Sequence, residues 1–373
     1  MTSKRPGDDY LPEPNWKLIA IYFTFFVWVI LVSYTRNFPL FIIPFAVVIV
    51  GALVYIAVNF NTMRHPKALR HLFRGLAALK RNQLDTAQAE FDEAIRLYPG
   101  YATAIANRGV IYARKGQIEK AIEACTQAIQ LQPKLATAYR TRAAAYLSKE
   151  MADEALADSN QAIKLQPLSA FAYLIRGQAY LQKKSPQEAI PAFARAARLK
   201  RHDAFAHMGL GTAYMNADQS EKALPEFDLC LRLNPQNALA YNNRGYANLK
   251  VGNVEAALAD CNQAIKLDPK MVFAYDSRGE TYFVMGRYED ALYEFMRAND
   301  FQPDHAFSIA GQAVSYFMLA QTDKAKLKWA QLVALDARYQ DAGFFESEQR
   351  PTKALVDGVR ELAAAIDMRA AEG

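Results

Sequence analysis

The sequence predicts an all-α protein, a solenoid of stacked helix pairs that follows an apolar N-terminal segment. Two observations predict the solenoid. Six prolines stand 34 or 68 residues apart, at Pro99, Pro133, Pro167, Pro235, Pro269 and Pro303. In 34-residue blocks counted from Ala68 to Tyr339, position 20 is alanine in all eight blocks. Periods of this length are typical of repeat proteins, in which each unit buries its apolar face against its neighbours.

The residues before the repeats divide into an N-terminal tail, 1–17, and an apolar region, 18–60. Residues 18–35 and 38–59 contain no Asp, Glu, Lys or Arg. Because about 20 apolar residues cross the hydrocarbon core of a bilayer, the second run is long enough and the first is marginal. We therefore expect a two-helix transmembrane hairpin over residues 18–60, with Arg36 and Asn37 in its turn.

Two alternatives to a spanning hairpin stay open at this point. A signal peptide is the alternative interpretation of the first run, although the run is long and no small-x-small cleavage pattern follows it. Because the turn between the runs is tight, a shallow hairpin that dips into one leaflet is the second alternative. Either hairpin attaches the protein to a membrane.

The distribution of Lys and Arg predicts the orientation of this hairpin. Lys4, Arg5 and Lys17 precede it, whereas only Arg36 lies between its two runs. Six further Lys or Arg and no acid occur between residues 61 and 84, a number equal to the formal net charge of +6 of the whole chain. Since positive residues near membrane segments stay in the cytoplasm, we expect the tail and the repeats to lie on the cytoplasmic side.

Residues 61–67 are predicted to form a basic juxtamembrane linker. We expect Arg64, Lys67 and Arg70 to face anionic lipid, which attracts a nearby basic residue by about 1 kcal/mol. Nucleic acid is the competing interpretation of the basic charge. No stripe of interleaved aromatic and basic residues accompanies that charge, so no nucleic-acid partner is expected.

Residues 68–339 fit eight blocks in which several other positions repeat. Position 8 is glycine or alanine throughout, at Gly75, Gly109, Ala143, Gly177, Gly211, Gly245, Gly279 and Ala313. Position 24 is mostly bulky, as in Phe193 and Phe295. Apolar residues recur at intervals of three and four, which indicates two amphipathic helices per block. Proline at position 32 ends the second helix, because it lacks an amide hydrogen.

Small residues at positions 8, 20 and 27, large ones at 4, 11 and 24, and proline at 32 closely resemble the pattern of the tetratricopeptide repeat (TPR) family. The stretch 238–270, ALAYNNRGYANLKVGNVEAALADCNQAIKLDPK, matches the pattern almost throughout. The resemblance implies a right-handed solenoid of eight helix pairs over residues 68–339. It also implies that the first helices of successive pairs line a concave groove.

Residues 340–373 follow the repeats and are predicted to form a C-terminal capping helix and tail. Pro351 and Thr352 precede a helical run from Lys353 to about Arg369. We expect this helix to cap the exposed apolar face of the last repeat, as terminal units of a repeat array require.

The resemblance places candidate partner-binding residues in the groove, at positions 2, 5, 6, 9, 12 and 13 of each block. They are Asn107, Arg114, Arg140, Phe171, Leu174, Ile175, Phe205, Met208, Asn242, Asn243, Tyr246, Asp276 and Glu280. Their character changes along the chain from basic through apolar to acidic. A contiguous apolar surface favours a site for an amphipathic helix or an extended apolar peptide.

Structural alternatives remain open for some of these residues. An asparagine amide both donates and accepts hydrogen bonds, so Asn243 is suited to hold a peptide backbone. Hydrogen bonding to neighbouring helices is the alternative for Asn243, and the favoured interpretation for Asn242. Phe171, Phe205 and Phe273, all at position 2, either contact a partner or pack between adjacent first helices.

Arginine at position 7 is interpreted as structural. Six blocks carry it, and in four of them position 23 is an acid. We expect ion pairs between the two helices of a repeat, with the arginine stem buried. The expected pairs join Arg74 to Glu90, Arg142 to Asp158, Arg244 to Asp260, and Arg278 to Glu294.

The sequence offers no motif for catalysis or metal binding. The three cysteines fall at core positions, and the five histidines show no metal-ligand spacing. No phosphate loop, zincin motif or nucleophile elbow occurs. We therefore expect neither a cofactor nor an enzymatic activity.

Together these features predict a membrane-anchored protein-interaction scaffold. Its groove is expected to bind a peptide or helix of a protein partner, in the assembly or localisation of a membrane complex. That role follows from likeness of architecture to membrane-anchored repeat proteins. A regulatory or targeting subunit of a partner enzyme is the alternative, and an enzyme in its own right is a third hypothesis.

Overall fold

The computed structural model describes residues 65–372 and, of these, the side chains of residues 65–366. The N-terminal tail, the predicted hairpin at 18–60 and Arg64 lie outside the described residues. Within residues 65–372 the secondary structure consists of 18 α-helices and one 3-10 helix, which confirms the all-α prediction. None of these described helices combines the length and the apolar character that crossing a bilayer requires.

Each predicted repeat folds as two consecutive helices. The first helices of the pairs are α1 (Pro66–Lys80), α3 (Ala102–Arg114), α5 (Ala136–Ser148), α7 (Ala170–Gln182), α9 (Ala204–Asn216), α11 (Ala238–Lys250), α13 (Val272–Val284) and α15 (Ala306–Met318). The second helices are α2 (Leu84–Leu97), α4 (Ile118–Leu131), α6 (Ala152–Leu165), α8 (Pro186–Leu199), α10 (Ser220–Leu233), α12 (Val254–Leu267), α14 (Tyr288–Phe301) and α16 (Thr322–Leu335). A 3-10 helix (Ala337–Gln340), α17 (Ala342–Gln349) and α18 (Lys353–Glu372) complete the chain.

The chain divides into two compact units, with the boundary between Pro167 and Leu168. The described part of the first unit contains repeats one to three, α1 to α6. The second unit contains repeats four to eight together with α17 and α18, so it holds most of the candidate groove residues.

Bulky rings at position 24 pack between small residues of two successive first helices. The ring of Phe295 is fully buried between Gly279 of its own repeat and Gly311 of the next. A Cβ atom at these glycines would lie 3.0 Å and 2.6 Å from the ring, respectively. The small residue at position 8 is therefore a consequence of close helix packing, and in repeat eight position 6 is under the same constraint.

The position-7 arginines form the expected ion pairs in three repeats and also reach back to the preceding repeat. Arg244 lies 2.7 Å from Asp260 within its repeat and 2.7 Å from Asp228 of the repeat before. Arg142 and Arg278 likewise pair with Asp158 and Glu294, each at 2.7 Å. In repeat one the expectation differs from the structure, because Glu90 contacts His71 at 2.6 Å. The histidine at position 4 contacts the position-23 acid in that repeat. In repeat five His207 likewise contacts Glu226, at 2.7 Å.

The C-terminal helix α18 begins at the predicted residue and packs on first helices, including α15 of the last repeat. Its contacts are with α13 and α15, the first helices of repeats seven and eight, as well as with α17. Leu355 and Val359 are buried in the same cluster as Phe283 and Val314. Gly358 permits this approach, since a Cβ atom there would lie 2.5 Å from Val314. The helix α15 is apolar on nearly all sides, and so its groove side also needs cover.

Replacing Gly311 with alanine tests the packing of the position-24 ring. Overpacking a core costs about 1–3 kcal/mol, which exceeds the gain of up to about 1 kcal/mol that alanine brings to a helix. Because Gly279 also lies against the Phe295 ring, a Cβ atom at position 311 would meet a ring that is already packed on two helices. We expect G311A to lower the melting temperature of the full-length protein, measured by circular dichroism.

The control for this substitution is Gly100→Ala. A Cβ atom at Gly100 meets nothing closer than 3.5 Å, at Tyr98, which is an ordinary contact. G100A should therefore melt within about a degree of the natural protein, on the usual scale of degrees per kcal/mol. Equal melting temperatures for G311A and G100A would contradict the packing described here.

Candidate partner-binding groove

The first helices of the second unit form one continuous surface. Successive first helices from α7 to α15 contact one another. Their side chains at positions 2, 5, 6, 9 and 13 therefore lie in neighbouring rows across this surface. We refer to it as the groove of the second unit.

A segment of the chain itself crosses this groove. We call residues 350–352, between α17 and α18, the strap. Tyr246 donates a hydrogen bond from Oη to the main-chain oxygen of Arg350. Lys250 Nζ donates to the main-chain oxygens of Arg350 and Pro351, at 3.1 Å and 2.8 Å. The main-chain amide of Thr352 donates to Glu280 Oε1. These contacts hold the strap by its main chain.

The side chain of Arg350 anchors the strap to repeat five. Its guanidinium donates to the main-chain oxygen of Asn216 at 2.6 Å and to Asp218 at 2.9 Å. Lys184, after the first helix of repeat four, lies 3.1 Å from Glu348 at the end of α17. The ion pairs at Asp218 and Lys184 are partly exposed, so each contributes less than about 1 kcal/mol.

Burial by the strap changes the acid chemistry of two predicted groove residues. Burial raises the pKa of Tyr246 well above its ordinary value. Burial also raises the pKa of Glu280 to about 7, although the Thr352 amide and the charge of Lys250 oppose the shift. Glu280 is thus an interior carboxyl group and not the open acidic residue that the sequence suggested.

Asp276 is also buried, in a cluster with His305 at the end of repeat seven and Ser308 of repeat eight. Ser308 Oγ donates to Asp276 Oδ1 at 2.6 Å, and His305 Nδ1 lies 2.9 Å from Asp276 Oδ2. Burial raises the pKa of Asp276, against the opposing contacts of His305 and Ser308. His305 faces both the acid and the serine hydroxyl with the same ring nitrogen, at 3.0 Å from the hydroxyl. A catalytic triad uses the two ring nitrogens separately, so this arrangement is structural.

The asparagines differ in how far their amides are engaged. Asn107, in the first unit, donates to the main-chain oxygen of Thr103 at 2.7 Å, so its amide hydrogen serves its own helix. Asn242 is buried and donates to Asn243 at 3.5 Å. Asn243 is half-buried and lines a cavity of about 150 Å³ with Tyr246 and Arg350 of the strap.

Apolar side chains at position 2 form an exposed row along one side of the groove. We call Phe171, Phe205, Leu239 and Phe273 the apolar row; their exposed fractions are 50%, 79%, 45% and 56%. Leu174 and Met208, at position 5, are half-buried beside it, whereas Ile175 is buried in the core. The row lies at the starts of the first helices, while the strap contacts their middles and ends. The strap therefore does not cover the row.

The candidate residues of the first unit lie on separate surfaces. Arg114 is exposed and lies 3.5 Å from Asn82. Arg140 is half-buried, and burial lowers the pKa of its guanidinium. Lys67 and Arg70 are exposed on α1. The structure does not bring these basic residues together into one site.

Comparison with known families agrees with the helix pairs and the groove. Models described as tetratricopeptide repeat match residues 74–136, 140–204, 206–237 and 238–271. The chain belongs to the tetratricopeptide-repeat family. As a TPR protein it is a protein-interaction scaffold, since stacked repeats present an extended binding surface.

Several solved structures are similar to this chain. One chain of the APC/C hetero-tetramer Cut9–Hcn1 is 14% identical, with a TM-score of 0.57 over 75% of this chain and 52% of that one. The structure of pilF from Pseudomonas aeruginosa is 19% identical, with a TM-score of 0.53 over 58% of this chain and 99% of that one. YrrB, described as a TPR protein with an unusual peptide-binding site, is 29% identical, with a TM-score of 0.43 over 50% of this chain and 97% of that one. The first two likenesses show a common fold. A search of the curated proteins gave no match.

Sequence reasoning missed several groove residues of this TPR protein. Leu239 occupies position 2 and was detectable by alignment of the repeats. Lys250 stands at position 13, which is also a groove position. It was missed because nothing in the sequence indicates the main-chain oxygens that it contacts. Asn216 contacts the strap through its main-chain oxygen, and Asp218 contacts it from the turn after α9. No periodic signal in the sequence identifies such contacts.

Substituting Glu280 with glutamine tests the burial of this carboxyl by the strap. A pKa raised from 4.5 to about 7 means that folding favours the protonated form. The contribution of Glu280 to stability is then full below pH 4.5 and is lost as the pH rises to about 7. The change amounts to at most about 3 kcal/mol, at 1.4 kcal/mol per pKa unit. Glutamine accepts the Thr352 hydrogen bond without titrating, so this component should vanish in E280Q.

The measurement is the melting temperature of both proteins between pH 4.5 and pH 8. The natural protein should lose stability relative to E280Q as the pH rises. Lys250, Tyr246 and Asp276 face position 280 in both proteins, so their own effects are common to both profiles. Glu346→Gln is the control, because Glu346 is half-exposed and pairs with Arg360 at 2.7 Å. Parallel pH profiles for the natural protein and E280Q would contradict the proposed burial.

Proposed function

We propose that this TPR protein is a membrane-anchored scaffold whose groove in the second unit binds a peptide or helix of a protein partner. Its role would be to assemble or localise a membrane complex. The family supplies the general function of protein interaction. The place of binding and the attachment to a membrane are the parts proposed.

The observation that carries the proposal is the strap in the groove. Tyr246, Lys250 and Glu280 hydrogen-bond to main-chain atoms of three consecutive residues. Main-chain groups are common to all polypeptides and must be paired when they are buried. The groove therefore already holds one polypeptide segment, and the exposed apolar side chains beside that segment leave surface for a second.

Membrane attachment is supported by the composition of the N-terminal region. Two uncharged runs, 18–35 and 38–59, precede a basic linker. Lys67 and Arg70 are exposed on α1, where they are free to approach anionic lipid. The positive residues on both flanks favour a two-helix anchor with the TPR repeats on the cytoplasmic side.

Photocrosslinking in intact cells tests both parts of the proposal. The photoreactive residue p-benzoylphenylalanine is placed at Asn243, which lines the groove cavity, in the full-length chain. After irradiation, membranes are washed with alkaline carbonate and adducts in the pellet are identified by mass spectrometry. We expect the chain in the pellet, with adducts to its own strap and to a second protein.

The control carries the same photoreactive residue at Leu327 of α16, which is 69% exposed on a second helix. It should give no adduct to that second protein. If position 243 labels only the strap, no partner enters the groove and the scaffold proposal is wrong in its site. If the chain is washed from the membranes, the anchor is wrong.

A further inference from the structure

We infer that the apolar row docks an amphipathic helix of the partner, which lies across repeats four to seven and places one apolar residue per heptad against each row member. The inference rests on the proposed scaffold function and names the surface and the chemistry of the partner. The row members are Phe171, Phe205, Leu239 and Phe273.

The row is an exposed apolar surface with a regular step. Its members stand at the same position of consecutive repeats, and three of the four are half or more exposed. Leu168, three residues before Phe171, is 76% exposed and extends the surface. Soluble proteins seldom expose contiguous apolar surface of this kind without a binding role. Phenylalanine rings are also among the side chains that contribute most area to interfaces.

The distance between neighbouring row members matches the distance between residues seven apart on an α-helix. Packed helices lie about 8–10 Å apart, so equivalent residues of adjacent first helices are separated by a similar distance. Residues seven apart on an α-helix lie on one face, at about 10.5 Å. A partner helix with apolar residues at i, i+7, i+14 and i+21 therefore presents one of them to each row member, since a drift of about 20° per heptad keeps all four within an apolar stripe about 100° wide.

An extended segment matches the distance between row members, but the row lacks the hydrogen-bonding groups that such a segment needs. Three extended residues also span about 10 Å. Their main-chain groups would then lie over apolar side chains that cannot hydrogen-bond to them. The strap finds such partners in Tyr246, Lys250 and Glu280, which lie on the other side of the groove. A helix satisfies its main chain internally and needs only an apolar surface.

The protein already covers the next member of the row with a helix. Phe307 holds position 2 of repeat eight and is only 8% exposed. The ring of Phe345, carried by α17, is stacked on it with 6.2 Å between ring centroids. The apolar row is continuous with this internal interface. The proposed partner helix extends, over four repeats, the contact that α17 makes over one.

Crosslinking from each row position tests the geometry of the docked helix. The probe is p-benzoylphenylalanine at position 171, 205, 239 or 273 of the full-length chain, irradiated in intact cells. We expect the four positions to label one segment of one partner, in order, at sites seven residues apart. Labelled sites about three residues apart would overturn the helix. So would labelling of lipid, of a second copy of this chain, or of unrelated proteins.

Substitution of the row separates this inference from the scaffold proposal. The readout is the yield of the partner adduct formed from position 243. The double substitution Phe205→Ser and Phe273→Ser, at residues 79% and 56% exposed, should reduce that yield about tenfold and lower the melting temperature no more than the control pair does. Leu327→Ser with Tyr293→Ser is the matched control, two exposed apolar residues on second helices, and should leave the yield unchanged.

The two proposals fail in different ways in this experiment. An undiminished adduct from position 243 in the row variant overturns the row as the docking surface and leaves the scaffold function standing. Absence of any partner adduct from position 243 in the natural background overturns the groove of the second unit as the partner site, and the row inference with it.

Discussion

The structure depends on the close approach of successive helices, which pack around a buried ring at position 24 in five of the eight repeats. Phe295 lies between Gly279 and Gly311, where a Cβ atom would come within 3.0 Å and 2.6 Å of the ring. This contact fixes how far one first helix stands from the next. The step between groove side chains, and with it the spacing of the apolar row, follows from that distance.

The groove of the second unit combines two surfaces with different chemistry. On one side Tyr246, Lys250 and Glu280 bind main-chain groups of the strap. On the other side Phe205 and its equivalents remain exposed. A polypeptide bound along the first surface is held by hydrogen bonds, whereas one bound along the second gains from burial of apolar area. The strap occupies the first surface only.

The periodic part of the fold was predictable because local sequence determines it. Position 8, position 20 and the prolines define the helix pairs, and Arg244 with Asp260 followed from a fixed spacing of 16 residues. The strap was not predictable, because Tyr246 and Arg350 are far apart in sequence and belong to no repeat. For the same reason Glu280, read from its groove position alone, looked like an open acid. The 34-residue period also could not show that Ile175 is buried and Phe171 exposed, since both occupy groove positions.

The strap bound in the groove is the feature on which the groove chemistry depends, and hydrogen exchange tests it most directly. The main-chain amide of Thr352 donates to Glu280, and α18 is packed on α13 and α15. Amide exchange of the full-length protein, followed by mass spectrometry, should therefore be slow in residues 350–362, in the range of the α13 amides. Exchange of residues 350–362 at the rate of an unstructured peptide, while α13 stays protected, would contradict the account.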